Sequence, residues 1–187
     1  MNDLLEIGSV ILNLVFLVLL IQRKKMCWWF GVAGSLTGAI LFIKSNLYSE
    51  SLLYFFYAFM GVWGWIVWNA ESGVFRIKGI AIAKHIMLIL VGALSWIALG
   101  YGMSFTDADK PFYDAFSTVF SVIATFLEIY KILGAFIYWI IINAFSIWLY
   151  GSKELNYYLF LAAVYTAISI YGAIEWQRTY REQSKNI

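Results

Sequence analysis

PFYDAFSTVFSVIATFLEIYKILGAFIYWIIINAFSIWLY, residues 111–150, decides the fold. It carries only three charged side chains, Asp114, Glu128 and Lys131, and it breaks once, around Tyr130 to Gly134, into two apolar runs. A bilayer core about 30 Å thick takes roughly 20 helical residues at about 1.5 Å each, so each run is the length of one crossing. Neither run shows the alternation of inward and outward residues that marks barrel strands of about ten residues, so the crossings are helices.

The same reading extends to the rest of the chain. Seven windows emerge: Leu4 to Gln22, Met26 to Lys44, Ser51 to Asn69, His85 to Met103, Phe112 to Lys131, Gly134 to Tyr150 and Asn156 to Glu175. The longest connector, Ala70 to Lys84, holds the apolar stretch Gly79 to Ala83. Composition agrees: the 187 residues are 63% hydrophobic, 20% aromatic and 13% charged, with a mean hydropathy of +0.78. Soluble domains carry about a quarter charged residues, so lipid is the solvent here, and a water-soluble globule and a disordered chain are both excluded. A net charge of +2 gives no basis for a nucleic-acid partner. The single cysteine, Cys27, rules out a disulfide framework or a multi-cysteine metal site.

Basic residues set the orientation, because cytoplasmic loops retain Lys and Arg. With the N-terminus outside, the cytoplasmic segments hold ten: Arg23, Lys24, Lys25, Arg76, Lys78, Lys84, Lys131, Arg178, Arg181 and Lys185. The exterior segments hold three, Lys44, Lys110 and Lys153, beside the acidic Asp3, Glu50, Asp107, Asp109 and Glu154. The expectation is N-out and C-in. The first span should persist as a helix rather than a cleaved signal, since Asn2, Asp3 and Glu6 precede it and the positive cluster follows.

A constant shift of 108 residues aligns the first three spans with the last three. It pairs Tyr57 with Tyr165, Gly64 with Gly172, Trp68 with Trp176, Leu41 with Leu149, Leu47 with Leu155, Leu53 with Leu161 and Ile66 with Ile174. Polar residues keep the register: Glu6, Ser9 and Asn13 fall opposite Asp114, Ser117 and Ser121. The shift crosses four spans, an even number, so the halves share one orientation. The chain therefore reads as an all-α polytopic membrane protein of 3+1+3 parallel repeats. Residues 4–69 form the first three-helix repeat, 85–103 a linker helix, 112–176 the second repeat and 177–187 a cytoplasmic tail.

Polar groups inside hydrocarbon must find partners or line a cavity. In the fifth span Asp114, Ser117, Ser121, Thr125 and Glu128 are spaced 3, 4, 4 and 3 apart, on one helical face. That face either lines a substrate path or bonds within and between helices. In the sixth span Phe136, Trp139, Asn143, Ser146 and Tyr150 are spaced 3, 4, 3 and 4, which sets an amide at the centre of an aromatic face. Asn143 has two donors and an acceptor to satisfy, through interhelical bonds or through a solute. Tyr54, Tyr57, Gly61, Trp65 and Trp68 form a face of the third span, and Tyr158, Tyr165, Ser169, Gly172 and Trp176 a face of the seventh. Trp68 and Trp176 end their spans where interfacial belts place Trp, and read as anchors. Gly61, Gly64 and Gly172 read as close-packing positions.

Aromatic faces with few charges suit flat rings and delocalised cations, at about 0.5–2 kcal/mol per ring. Phosphate fits badly, because no Lys or Arg lies in mid-span and no Gly-rich loop is present. His85, the only histidine, has no acid or cysteine at metal spacing and reads as interfacial, and Cys27 has no neighbouring base and reads as inert. Neither a metal nor a cofactor is implied, no hydrolase or Walker sequence occurs, and an ATP-driven pump is excluded for this chain alone. Proton coupling through Glu128 or Asp114 stays open.

FFYAFMGVWGWIVW (residues 55–68), SVIATFLEIYK (121–131), FIYWIIINAFSIWLY (136–150) and YTAISIYGAIEW (165–176), within seven helices of which the fourth is a linker, resemble the PnuC family of bacterial vitamin transporters. The resemblance covers nearly the whole chain. It implies a fold related to the sugar-transporting SWEET proteins, a homotrimer, and facilitated diffusion of nicotinamide riboside across the inner membrane, with trapping by a cytosolic kinase. It also implies that Trp139 and Asn143 bind the ring and ribose. The chain departs from the family at Thr125, where an amide is usual, and at Ala135 and Phe136, where an Asn-Trp pair is usual. Thiamine, another aromatic ring with a fixed cation, is carried by relatives in the same family.

The reading is thus a uniporter of a ring-bearing cationic vitamin, with nicotinamide riboside first and thiamine second. Trp139 and Asn143 contact the solute, and Thr125, Ser121, Tyr57, Trp65, Tyr165 and Phe136 complete the cage. Two rivals come from other classes. An intramembrane enzyme would use Asp114 and Glu128, but 14 residues of helix separate them by about 21 Å. A helix-packing scaffold would show no stabilisation by a ligand.

Overall fold

A computed structural model describes residues 2–44, 48–71, 75–105, 110–152 and 156–185. Readings placed on the side chains of Asp3, Glu6, Glu50, Tyr150 and Tyr158, and on Leu47, Asp107, Asp109, Lys153, Glu154 and Leu155, fall outside the described residues. The described residues form helices α1 (Asn2–Ile21), α2 (Cys27–Lys44), α3 (Tyr48–Ala70), α4 (Ile82–Met103), α5 (Pro111–Ile129), α6 (Ala135–Ser152) and α7 (Asn156–Lys185). Among them, four stretches are long and apolar enough to cross a membrane: Ser51–Ala70, Ile82–Met103, Pro111–Ile129 and Leu159–Lys185. Ile7–Ile21, Cys27–Leu41 and Ala135–Leu149 are shorter apolar helical stretches, of 10–17 residues.

The seventh helix runs past the span expected over Asn156 to Glu175 and continues as helix to Lys185, through residues expected as a tail. Gln177, Arg178, Arg181, Glu182 and Gln183 are good helix formers with no Gly or Pro to stop them. Arg178 Nε and Glu182 Oε1 add an i,i+4 ion pair at 3.1 Å.

The chain divides into two compact units, Met1–Phe75 and Arg76–Ile187. In the first, α1 packs on α2 and α2 on α3. Their contact closes over glycines: a Cβ at Gly64 would stand 2.5 Å from the Trp28 ring, and one at Gly61 would stand 2.7 Å from Val32. Trp28 in turn meets Trp68 edge to face, with centroids 5.3 Å apart at 90°. Trp68 is fully buried, so it is a core residue and not an interfacial anchor. The Trp28 indole fills the space that Gly64, one turn before Trp68, leaves open.

In the second unit α4 packs on α5, α5 on α6 and α6 on α7. The α6–α7 contact has the same construction. Phe136 meets Trp176 edge to face at 5.1 Å and 85°, and a Cβ at Gly172 would fall 2.6 Å from Phe136. Trp176 is fully buried as well, and its anchoring reading is corrected for the same reason. Cys27 is buried.

The turns after α1 and α5 are alike in detail. Among the described residues, Arg23 and Lys131 are the non-glycine residues with positive φ, 62° and 59°. After α1, Arg23 N–H donates to Leu20 O and Lys24 N–H to Leu19 O, each at 2.9 Å. After α5, Lys131 N–H donates to Glu128 O at 3.0 Å and Ile132 N–H to Leu127 O at 2.8 Å. This pattern of a left-handed residue with paired bonds to the last turn is the Schellman motif, which satisfies carbonyls that the helix end leaves open.

The segment before α4 is tied into the second unit. Lys78 forms a parallel bridge with Ile132, through Lys78 N–H to Lys131 O at 2.9 Å and Leu133 N–H to Lys78 O at 3.0 Å. Ile77 N–H donates to Gln183 Oε1 at 3.1 Å. α4 itself lies on α5 through Gly92 and Gly100, which face the rings of Phe120 and Phe112.

Candidate functional site

The polar stripe of α5 is half-buried at Asp114 and Ser117 and buried from Ser121 on. Ser121, Thr125 and Glu128, at successive turns, are 5%, 6% and 3% exposed. Thr125 Oγ1 donates to Ser121 O at 2.8 Å, so this hydroxyl is engaged by its own helix. Ser146 on α6 does the same toward Ile142 O at 3.0 Å.

On α6 the face runs through Phe136, Trp139, Asn143 and Ser146, and its members differ in exposure. Phe136 is sealed between Gly172 and Trp176, which gives it a packing role. Trp139 and Asn143, farther along, are half-buried. The indole Nε1 of Trp139 is shielded from solvent and has no hydrogen-bond partner. Asn143 Nδ2 donates to Ser169 Oγ on α7, at a long 3.5 Å. That bond uses one of the amide's two N–H groups. Tyr165, one turn before Ser169 on α7, is half-buried.

Beside this face stands an arrangement that periodicity does not reveal. The Glu128 carboxyl lies near the Trp139 indole N–H, and the pair does not meet hydrogen-bond geometry. Glu128 ends the α5 stripe, Trp139 follows Phe136 on the α6 face, and the Lys131 turn joins the two helices. Both residues were visible in their own spans, but their meeting depends on that turn.

The first unit holds Tyr57 and Trp65. Tyr57 is half-buried and touches Tyr54, ring centroids 6.1 Å apart, and Phe56, at 5.9 Å. Trp65 leans on Trp29 at 5.4 Å. Ser9 and Asn13 on α1 are engaged, since Ser9 Oγ donates to Gly34 O at 3.0 Å and Asn13 Nδ2 to Ser9 O at 2.9 Å.

His85 has a partner that the sequence did not suggest. Its Nδ1 lies 3.3 Å from Tyr138 Oη, and its ring sits over Gly134. The two rings end an apolar groove of about 410 Å³ that also includes Ile89, Phe120, Ile137 and Ile141. Among the described residues no three His, Cys, Asp or Glu side chains converge as a metal site would require.

The family model of nicotinamide mononucleotide transporters matches residues 3–178. The chain belongs to this family. Members of the nicotinamide riboside transporter PnuC group from Escherichia coli (strain K12) and Shigella flexneri are each 22% identical to it, over 96% of this chain and 87% of theirs. The crystal structure of the vitamin B3 transporter PnuC superposes with a TM-score of 0.81 at 17% identity, over 95% of this chain and 82% of that one. The fold is therefore that of PnuC, all-helical with seven helices among the described residues. The protein is a multi-pass membrane transporter of the PnuC family, and its family and structural neighbours are transporters rather than enzymes.

Proposed function

We propose that the protein carries nicotinamide riboside into the bacterial cell by facilitated diffusion across the inner membrane, and that phosphorylation in the cytosol traps the solute. The relatives bear the name of that riboside, and an aromatic lining with an amide suits a flat pyridinium ring and a ribose. One observation carries the assignment of the site. Trp139 and Asn143 share a face of α6, the first with an N–H that has no partner and the second with a single long bond. Unmet donors in a membrane interior are costly unless a solute or water meets them.

Within the second unit Trp139 and Asn143 are proposed as the contacts, with Ser121, Thr125 and Tyr165 as further lining and Phe136 holding α6 on α7. The orientation is N-out and C-in, on the count of basic residues. The matched Schellman turns and the matched aromatic pairs, 108 positions apart, support two three-helix repeats inserted in one direction, as in SWEET proteins, with α4 as linker. A homotrimer is the proposed assembly. Thiamine is the second reading, because the Thr125 hydroxyl is turned to its own helix at a position where the family uses an amide.

The test is uptake into proteoliposomes by Asn143→Ala, together with thermal shift of the purified protein. Nicotinamide riboside should raise the melting temperature of the native protein, and Asn143→Ala should insert normally and lose uptake. Normal uptake by the variant removes this site; stabilisation by thiamine alone transfers the site to thiamine.

A further inference from the structure

We infer that Glu128 is the counter-charge that selects a cationic solute, an inference that rests on the site proposed for Trp139. Glu128 is 3% exposed, and among the described residues it makes no ion pair. A carboxylate in a membrane interior is expensive, and such groups are held where they meet an ion or a substrate. Its position shows that burial alone does not require an acid. The residue 108 positions earlier, Leu20, occupies the same place before the same Schellman turn and is fully buried. An aliphatic side chain fills that slot in the first unit, so the carboxylate in the second serves something other than packing.

What stands opposite is an indole. Glu128 on α5 lies near Trp139 on the adjoining α6, and the indole N–H closes no bond. A carboxylate beside an aromatic ring is the pairing that recognises a delocalised cation: the ring stacks on the flat face and the acid neutralises the charge. Glu128 also lies one turn beyond Thr125 on the α5 face, about 4.5 Å along the helix. The acid is thus at the end of the stripe proposed to line the path. The solute class it assigns is a permanently charged aromatic cation, in preference to an uncharged ring of the same shape.

The experiment uses the purified full-length protein and two ligands of equal shape, nicotinamide riboside and its uncharged dihydro form, titrated calorimetrically. The native protein should prefer the cation by about tenfold or more. Glu128→Gln, which keeps the volume, should lose that preference while binding the dihydro form as before. Glu128→Asp, which keeps the charge, should retain part of it, and it serves as the test if the Gln variant does not fold. An unchanged preference in Glu128→Gln, an equal loss of both ligands, or a native protein indifferent to charge overturns the inference. If the native protein binds neither form, the site itself falls. If it binds both with a preference that Glu128 does not alter, the site stands and only the counter-charge is lost.

Discussion

Arg23 and Lys131, 108 positions apart, hold the same left-handed backbone conformation at the same place in a helix-ending turn. For an L-residue that conformation costs about 1–2 kcal/mol, and glycine is the usual occupant. Both positions carry basic residues, at loop ends that the proposed orientation assigns to the cytoplasm. The backbone strain and the topology signal therefore fall on the same residue.

Replacing Arg23 by Gly and by Val separates the two roles. Both variants lose the charge, and only Val keeps a β-branched side chain in the left-handed region. Arg23→Gly should be more stable than Arg23→Val by about 1–2 kcal/mol, read from melting temperatures in detergent. Equal stability would mean that the turn relaxes when its side chain changes.

Gly64 and Gly172 are fixed by what faces them. A methyl group at either position enters a buried ring, that of Trp28 or of Phe136, whose own edge-to-face partner blocks retreat. Gly64→Ala and Gly172→Ala should each cost about 1–3 kcal/mol. Gly102→Ala, where nothing lies within 4 Å, should be neutral or stabilising and serves as the control. Comparable losses at all three positions would show a general helix effect instead of a packing one.

The helices were legible because bilayer thickness writes itself into run length, and the proposed register of 108 residues rests on hydroxyls, glycines and rings that both halves repeat. Trp68 and Trp176 were misread for a physical reason. A tryptophan near a span end suits an interfacial belt as well as a core, and only the glycine four residues earlier, opposite another ring, separates the two. The face of Trp139 and Asn143 could be read from spacing. The meeting of Glu128 with Trp139, the sealing of Phe136 and the bond from Asn143 to Ser169 could not, because each depends on how a turn or a neighbouring helix aims the side chains.

The long bond from Asn143 to Ser169 allows interhelical glue to be told from ligand binding. If the amide serves mainly to join α6 and α7, removing either partner should hurt equally. Ser169→Ala removes a weak acceptor at a cost of about 0.5–1.5 kcal/mol and should leave uptake within about threefold of native. Asn143→Ala should abolish uptake at similar stability. Parallel loss of uptake in both variants would make the pair structural.

A phosphorylated solute should be refused, although the family description includes a mononucleotide. The basic residues within helices stand near their ends: Lys44 in the last turn of α2, Lys84 at the start of α4, and Arg178, Arg181 and Lys185 beyond Trp176 on α7. A phosphate monoester carries about −1.5 to −2 charges at neutral pH and would have to shed water along helix faces that carry no Lys or Arg in mid-span. Glu128 would add repulsion. Nicotinamide mononucleotide should therefore compete with riboside uptake at least about 100-fold more weakly than unlabelled riboside, a difference of roughly 2.8 kcal/mol. Competition in proteoliposomes with the radiolabelled riboside reads this directly. Equal competition by the two would mean that a phosphate site lies on the path, and that the aromatic lining is not what selects the cargo.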